Sequence, residues 1–186
     1  KFYYADRFKH FCNTIKPTFE NVQRDHSRIV IPMYDSNKKL IGLQGRALDP
    51  FIQPKYLTLM LVEDHPKIFG FDTIDETKEV YVTEGPFDST FINNSIAMCG
   101  SDVDLSDYKN LQFTYVFDNE PRNREIVSKI AKSIEKSHKV VIFPTQIREK
   151  DINDMVLAGH DVNSLLESNT YTGLKAKLKL QTWKKV

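Results

Sequence analysis

Thiol chemistry is almost missing from this chain of 186 residues: Cys12 and Cys99 are its only cysteines, and neither belongs to a C-x-x-C pair. That excludes a thiolate-built zinc site and a disulfide framework, and two isolated thiols suit a reducing cytosol. Long apolar runs are missing too. No stretch approaches the ~20 residues that a membrane-crossing helix needs, and no secretory leader is visible, so we expect a cytoplasmic protein with no membrane partner. There is no G-x-x-x-x-G-K-[ST] sequence, which removes a P-loop motor. None of the five histidines forms H-E-x-x-H or another pair at metal-ligand spacing. Internal repeats and low-complexity tracts are also lacking. Charge of one sign is not in excess: 26 Lys and Arg stand against 25 Asp and Glu, a net of +1, so the total does not announce a polyanion-binding protein.

What is present describes an ordinary globular protein, 40% hydrophobic and 27% charged, long enough for one proper core with a smaller lobe. Charge is distributed unevenly. Lys175, Lys177, Lys179, Lys184 and Lys185 crowd the last dozen residues without an acid among them, which suits either a polyanion contact or a solvated end.

The early part reads as a helix over 5–14, with Phe8, Phe11 and Cys12 on one side. Two strands follow, 28–34 and 39–44, joined through the turn residues Asp35-Ser36-Asn37 as a hairpin, and 55–62 adds a third. From Lys78 the pattern becomes strand, helix, strand: a strand over 79–83, a helix over 87–93 with Phe87, Phe91 and Ile92 inward, and apolar strands at 95–98, 112–117 and 140–143. Ile126, Val127, Ile130 and Ile134 recur at helical spacing against Lys129, Lys132 and Lys136, so 125–137 is an amphipathic helix whose lysine stripe reads as a solvated face. Asp161 suits the N-cap of a short helix with Leu165 and Leu166 inward. Alternation at these lengths argues for a parallel sheet with helices on both faces.

Three of these strands run into acids. Val80-Tyr-Val-Thr83 leads into Glu84-Gly85-Pro86-Phe87-Asp88; Phe113-Thr-Tyr-Val-Phe117 leads into Asp118-Asn119-Glu120-Pro121; Val140-Val-Ile-Phe143 is followed by Lys150-Asp151-Ile152-Asn153-Asp154. A lone acid after a strand is ordinarily a cap or a turn residue. Three successive strand ends delivering carboxylates to the edge where open parallel sheets bind ligands is a different matter, because a hard divalent cation is held by a few carboxylates together with water and phosphate oxygens. Gly85 would let the backbone turn sharply or approach a ligand closely.

Glu84-Gly85-Pro86-Phe87-Asp88 resembles the E-G-x-x-D signature of Toprim domains, which primases, topoisomerases and some nucleases share. Asp118-Asn119-Glu120 resembles their D-x-D element, with the second carboxylate one methylene longer, and Lys150-Asp151-Ile152-Asn153-Asp154 is similar to a K-D-x-N-[DE] segment of the primase version. Upstream, Arg28-Ile-Val-Ile-Pro32, Leu40-Ile-Gly42-Leu-Gln-Gly45-Arg46 and Pro54-Lys55-Tyr56-Leu57 resemble the lobe that precedes Toprim in bacterial-type and tailed-phage DNA primases; topoisomerases and small Toprim nucleases lack it.

The resemblance implies a small, mostly antiparallel α+β lobe over 1–75, a Toprim α/β domain over 76–170 and a basic segment over 171–186. The implied activity is template-directed synthesis of RNA primers from NTPs on single-stranded DNA with Mg²⁺ or Mn²⁺; a Toprim nuclease and a non-catalytic nucleic-acid-binding relative are the alternatives. Glu84, Asp118 and Glu120 would be catalytic and, with Asp151, metal-binding, supported by Gly85 and Asp88. Arg46, Lys55, Lys67 and Asn153 would hold nucleotide or DNA. Gly42 and Gly45 would bend the strand end near Arg46, and Tyr56 would be a core aromatic. A replicative helicase is the implied partner. The family's zinc module, which needs a cysteine set, would lie upstream of Lys1, and we expect the fragment alone to prime weakly.

Overall fold

The computed structural model describes residues 1–100 and 103–186, which fall into two compact units: Lys1–Asp72 with Cys99, Gly100 and Val103, and Thr73–Met98 with Asp104–Val186. In the first unit β1 (Tyr3–Ala5), β2 (Arg28–Tyr34), β3 (Leu40–Ala47) and β4 (Tyr56–Met60) form an antiparallel sheet in that order. A short strand, β5 (Ile68–Phe69), follows. The hairpin turn is where the sequence put it, with Asp35 Oδ1 accepting from the backbone N–H of Asn37 and Lys39.

Helix α1 (Phe8–Ile15) lays Phe8 and Cys12 against Val30, Leu43 and Leu59. It starts later than expected, because Ala5 pairs with Arg28 at the end of β1. Its cap is remote: Asp25 accepts the Lys9 and His10 N–H groups at 2.9 Å each, so nothing local in sequence marks the start.

Gly42 and Gly45 are not bends. Both pair with β2 and β4 along β3, and a Cβ on Gly45 would stand 2.6 Å from the Phe8 ring, one on Gly42 2.8 Å from the Met33 and Met60 side chains. They are glycines because neighbouring side chains fill the space where a side chain would go. Beneath this edge Arg28 is 2% exposed, and its guanidinium donates to the carbonyls of Gly45 (3.1 Å), Lys55 (3.1 Å) and Pro54 (3.0 Å).

In the second unit β6 (Val80–Thr83), α2 (Pro86–Ser89), β7 (Ser95–Met98), β8 (Phe113–Tyr115), α3 (Arg124–Glu135), β9 (Lys139–Val141), α4 (Ile152–Leu157), α5 (Val162–Ser168), β10 (Thr170–Tyr171) and α6 (Gly173–Trp183) follow in order. The strands of this unit line up as β10-β9-β8-β6-β7; the last four are parallel and β10 is antiparallel to β9. Successive side chains alternate between faces. Phe117, Val140 and Ile142 go to one core with Ile126, Ile130 and Ile134 of α3 and Ala176, Leu180 and Trp183 of α6. Val116, Val141 and Phe143 go to the other, with Ile152 and Met155 of α4 and Val162 and Leu166 of α5. Residues 171–186, distinctive in sequence only for their lysines, are thus the end of β10, α6 and a three-residue tail.

The helix expected over 87–93 ends at Ser89. Thr90, Phe91 and Ile92 donate to the carbonyls three residues back instead of four, which tightens the chain into turns, and Phe91 is exposed while Ile92 alone goes inward. Asp161 caps α5 as expected, accepting from the Ser164 N–H.

Candidate active site

The sheet brings the acids together through its register. β6 and β8 are parallel neighbours with Val82 opposite Tyr115, and β9 lies beside β8 with Val140 opposite Tyr115. Glu84 after β6, Asp118 after β8 and the loop after β9 therefore leave the sheet at one edge, on adjoining strands. Asp118 is half-buried. Burial chiefly, and then the carboxylates of Asp88, Glu84 and Asp151, push its carboxyl up to about 6 against the opposing pull of Lys150. Three acids are thus near enough to Asp118 to disfavour its ionisation, so negative charge is concentrated at this edge.

Asn119 fixes the Asp118 loop. Its buried amide donates to the carbonyls of Ile147 and Glu149, both at 3.0 Å, and accepts from Trp183 Nε1 at 3.1 Å, while its backbone N–H donates to the Lys150 carbonyl at 2.6 Å. Two strand-end loops and α6 are therefore joined through one side chain. The D-x-D resemblance left that middle residue unspecified. Glu120 lies on the same loop, with Asn123, the N-cap of α3, donating to its Oε2 at 3.3 Å.

Asp151 is the N-cap of α4, with Oδ1 accepting from the Asp154 N–H at 2.8 Å. Asn153, in the first turn, donates its backbone N–H to Asp88 Oδ1 at 3.2 Å and so ties this helix to the acidic motif after β6. Gly85 is extended (φ −107°, ψ 135°), so a sharp turn is not its role. A Cβ there would stand 3.0 Å from Asp88 Oδ2, so a side chain at this position would crowd that carboxylate.

Two lysines sit among these acids. Lys150 Nζ is 3.7 Å from Glu120 and 3.9 Å from Asp118. Lys129, taken in sequence for a solvated helix face, places Nζ 2.7 Å from Glu84 Oε1 and 2.9 Å from Glu125 Oε1. The signal was there: Lys129 lies one residue from the buried Ile130 on α3, closer to the inward side than Lys132 or Lys136.

All potential donors here are carboxylate or amide oxygens. Among the described residues no three His, Cys, Asp or Glu side chains are grouped to cage an ion unaided. That donor set fits magnesium or manganese, which take one or two carboxylates and complete their shell with water and phosphate, and does not fit an all-protein zinc or calcium cage.

In the first unit Arg46 and Lys55 lie over the Tyr56 ring, at 6.0 and 5.7 Å from its centroid. Tyr56 is half-buried and serves as a platform under two cations, not as a core aromatic. Lys67 is part-buried, with its carbonyl accepting from the Cys99 N–H.

No protein-family model matches the chain. In sequence it is 30% identical over 191 aligned residues to the DNA primase of Enterobacteria phage T4, across 99% of this chain and 55% of that protein, so it spans about half the length of the curated relative it matches. In structure it superposes on part of the Aquifex aeolicus primase structure that contains the zinc-binding and RNA polymerase domains, with a TM-score of 0.66, at 19% identity over 91% of this chain and 51% of that one. The RNA polymerase domain of Mycobacterium tuberculosis primase gives 0.61, at 19% identity over 80% and 57%. The E. coli primase catalytic core gives 0.55, at 14% identity over 94% and 60%. Among the described residues no helix is long and apolar enough to cross a membrane. With an antiparallel sheet before a mostly parallel one, the chain has the fold of the bacterial-type primase catalytic cores it resembles.

Proposed function

We propose that the chain is the Toprim-type catalytic core of a DNA primase, joining ribonucleotides along a single-stranded DNA template with release of pyrophosphate. The observation that carries this reading is the meeting of Glu84 and Asp118 at the carboxyl ends of adjoining parallel strands, with Asp88 and Asp151 close enough to raise the Asp118 carboxyl. The likeness to the T4 primase and to primase cores supports it. So do the structures of M. tuberculosis primase with DNA carrying a 6-nucleotide overhang and of a primase catalytic domain bound to ssDNA.

Glu84, Asp118 and Glu120 would hold Mg²⁺ or Mn²⁺, directly or through water, with Asp151 and Asn153 at the margin of the site. Such an ion, when bound, supplies charge neutralisation for the phosphates and polarises the reacting oxygens. The rest of the work falls to positioning. Asn119 holds the Asp118 carboxylate on a loop that cannot drift from the 147–150 segment, and Lys150 offsets part of the negative charge there. Arg46, Lys55 and Lys67 would bind phosphates of template or nucleoside triphosphate, Arg46 through its planar fork. Template reading is left to base pairing, and protein contacts to the single strand fall mainly on its backbone. A cytoplasmic setting and a replicative helicase partner belong to the same proposal.

One denaturing gel tests it, with labelled ribonucleotides and a separately labelled single-stranded template at high protein concentration with Mg²⁺ or Mn²⁺. Short ribonucleotide products over intact template, lost in Glu84→Gln while the fold and DNA binding are kept, are expected. A shortened template without products would replace this reading with a nuclease.

A further inference from the structure

The lysines of α3 divide into two kinds. Lys132 and Lys136 are exposed, whereas Lys129 reaches the strand edge and donates to Glu84 Oε1 at 2.7 Å. Its ammonium has a second acceptor one turn back, Glu125 Oε1 at 2.9 Å, on a side chain otherwise 74% exposed. We propose that Lys129 is a positioning residue for Glu84: its ammonium is a tethered cation that holds this carboxylate until a divalent ion takes it, and then passes to Glu125. The inference rests on the reading of Glu84 as a metal-binding residue and adds a residue that sets how readily the metal enters.

The argument is one of competing cations. A carboxylate oxygen that accepts from an ammonium at 2.7 Å has committed a lone pair that a metal ion needs, and the ammonium also repels the incoming dication. Without a second partner the displaced ammonium would be left half-buried and unpaired, which is costly. Glu125 removes that obstacle, because it already shares the proton donor and reaches it from solvent at the favourable i, i+4 spacing. In the metal-free protein the same ammonium neutralises an edge crowded with acids.

The test is Mn²⁺ binding to this chain, followed by the loss of the free-ion EPR signal, with metal-free thermal melts confirming that each variant folds. Lys129 is 38% exposed, so Lys129→Met is expected to fold. Losing one unit charge a few ångströms from the ion should tighten Mn²⁺ binding roughly tenfold. Lys129→Arg should return it close to wild type, and Glu125→Gln should weaken it severalfold by leaving the ammonium on Glu84 alone. Combining Lys129→Met with Glu84→Gln should abolish the gain. Unchanged or weaker binding in Lys129→Met, beside a clear loss in Glu84→Gln, would overturn the role of Lys129 and leave the metal site standing. Equal binding by wild type and Glu84→Gln would overturn the metal site itself, and the proposal with it.

Discussion

Trp183 Nε1 donates to Asn119 Oδ1 across 3.1 Å inside the core, so the last residue of α6 holds the loop that presents Asp118. Trp183→Phe keeps most of the apolar bulk but leaves that amide oxygen buried without its donor. We expect a loss of about 1–3 kcal/mol in urea unfolding, with weaker Mn²⁺ binding because the Asp118 loop loosens. Unchanged stability would mean that water replaces the indole at no cost.

Asp118 gives a pH dependence with a definite sign. Its carboxyl is raised from 3.8 to about 6 in the folded protein, so between those values the folded state holds a proton that the unfolded chain has released. Stability of the metal-free protein therefore falls as pH rises from about 4 to about 6, and the penalty is fully present above that window. Asp118→Asn should be more stable than wild type at neutral pH in EDTA, by about 1–2 kcal/mol after allowance for screening at a side chain one-third exposed, and equal to it near pH 4. Urea titrations across that range read it directly.

Gly45→Ala should destabilise the first unit by about 1–3 kcal/mol, because the new methyl meets the fully buried Phe8 ring. Phe8→Leu in the same chain should recover part of the loss. An equilibrium unfolding series over the two single variants and the double gives the coupling.

Arg46→Ala and Lys55→Ala should each weaken binding of single-stranded DNA irrespective of sequence and lower the salt dependence of log K by about one charge contact. Fluorescence anisotropy with a labelled oligonucleotide at several salt concentrations distinguishes this from a folding defect, which would leave the slope alone.

Much of the fold, and the position of the candidate site, is legible in the sequence. Short apolar runs ending in Glu84, Asp118 and the Lys150–Asp154 segment stand out because strand and site share one stretch of chain. The parts that escaped depend on distant partners. Nothing near Phe8 shows that Asp25 will cap α1. Helix α6 hides in Leu174-Lys-Ala-Lys-Leu-Lys-Leu180, where alternating leucine and lysine mimics a strand, while burial selects Ala176, Leu180 and Trp183 at helical spacing and leaves Leu174 and Leu178 outside. Gly45 reads in sequence as a bend because the Phe8 ring that requires it is thirty-seven residues away. Lys129 groups with its helix neighbours because periodicity sorts residues by face and says nothing of an acid beyond the end of a distant strand.

Arg28 adds a consequence for how a nucleic acid strand would be measured. By gathering the carbonyls of Gly45, Pro54 and Lys55 around one guanidinium, it pins the residue before Arg46 to the backbone of Lys55 itself. The spacing of the two backbone positions that carry these cations is therefore set when the lobe folds, not when a ligand arrives. If Arg46 and Lys55 bind phosphates as proposed, such a pair would work as a caliper: a phosphate chain of matching pitch would meet both jaws at little further ordering cost, and one of the wrong pitch would engage a single jaw.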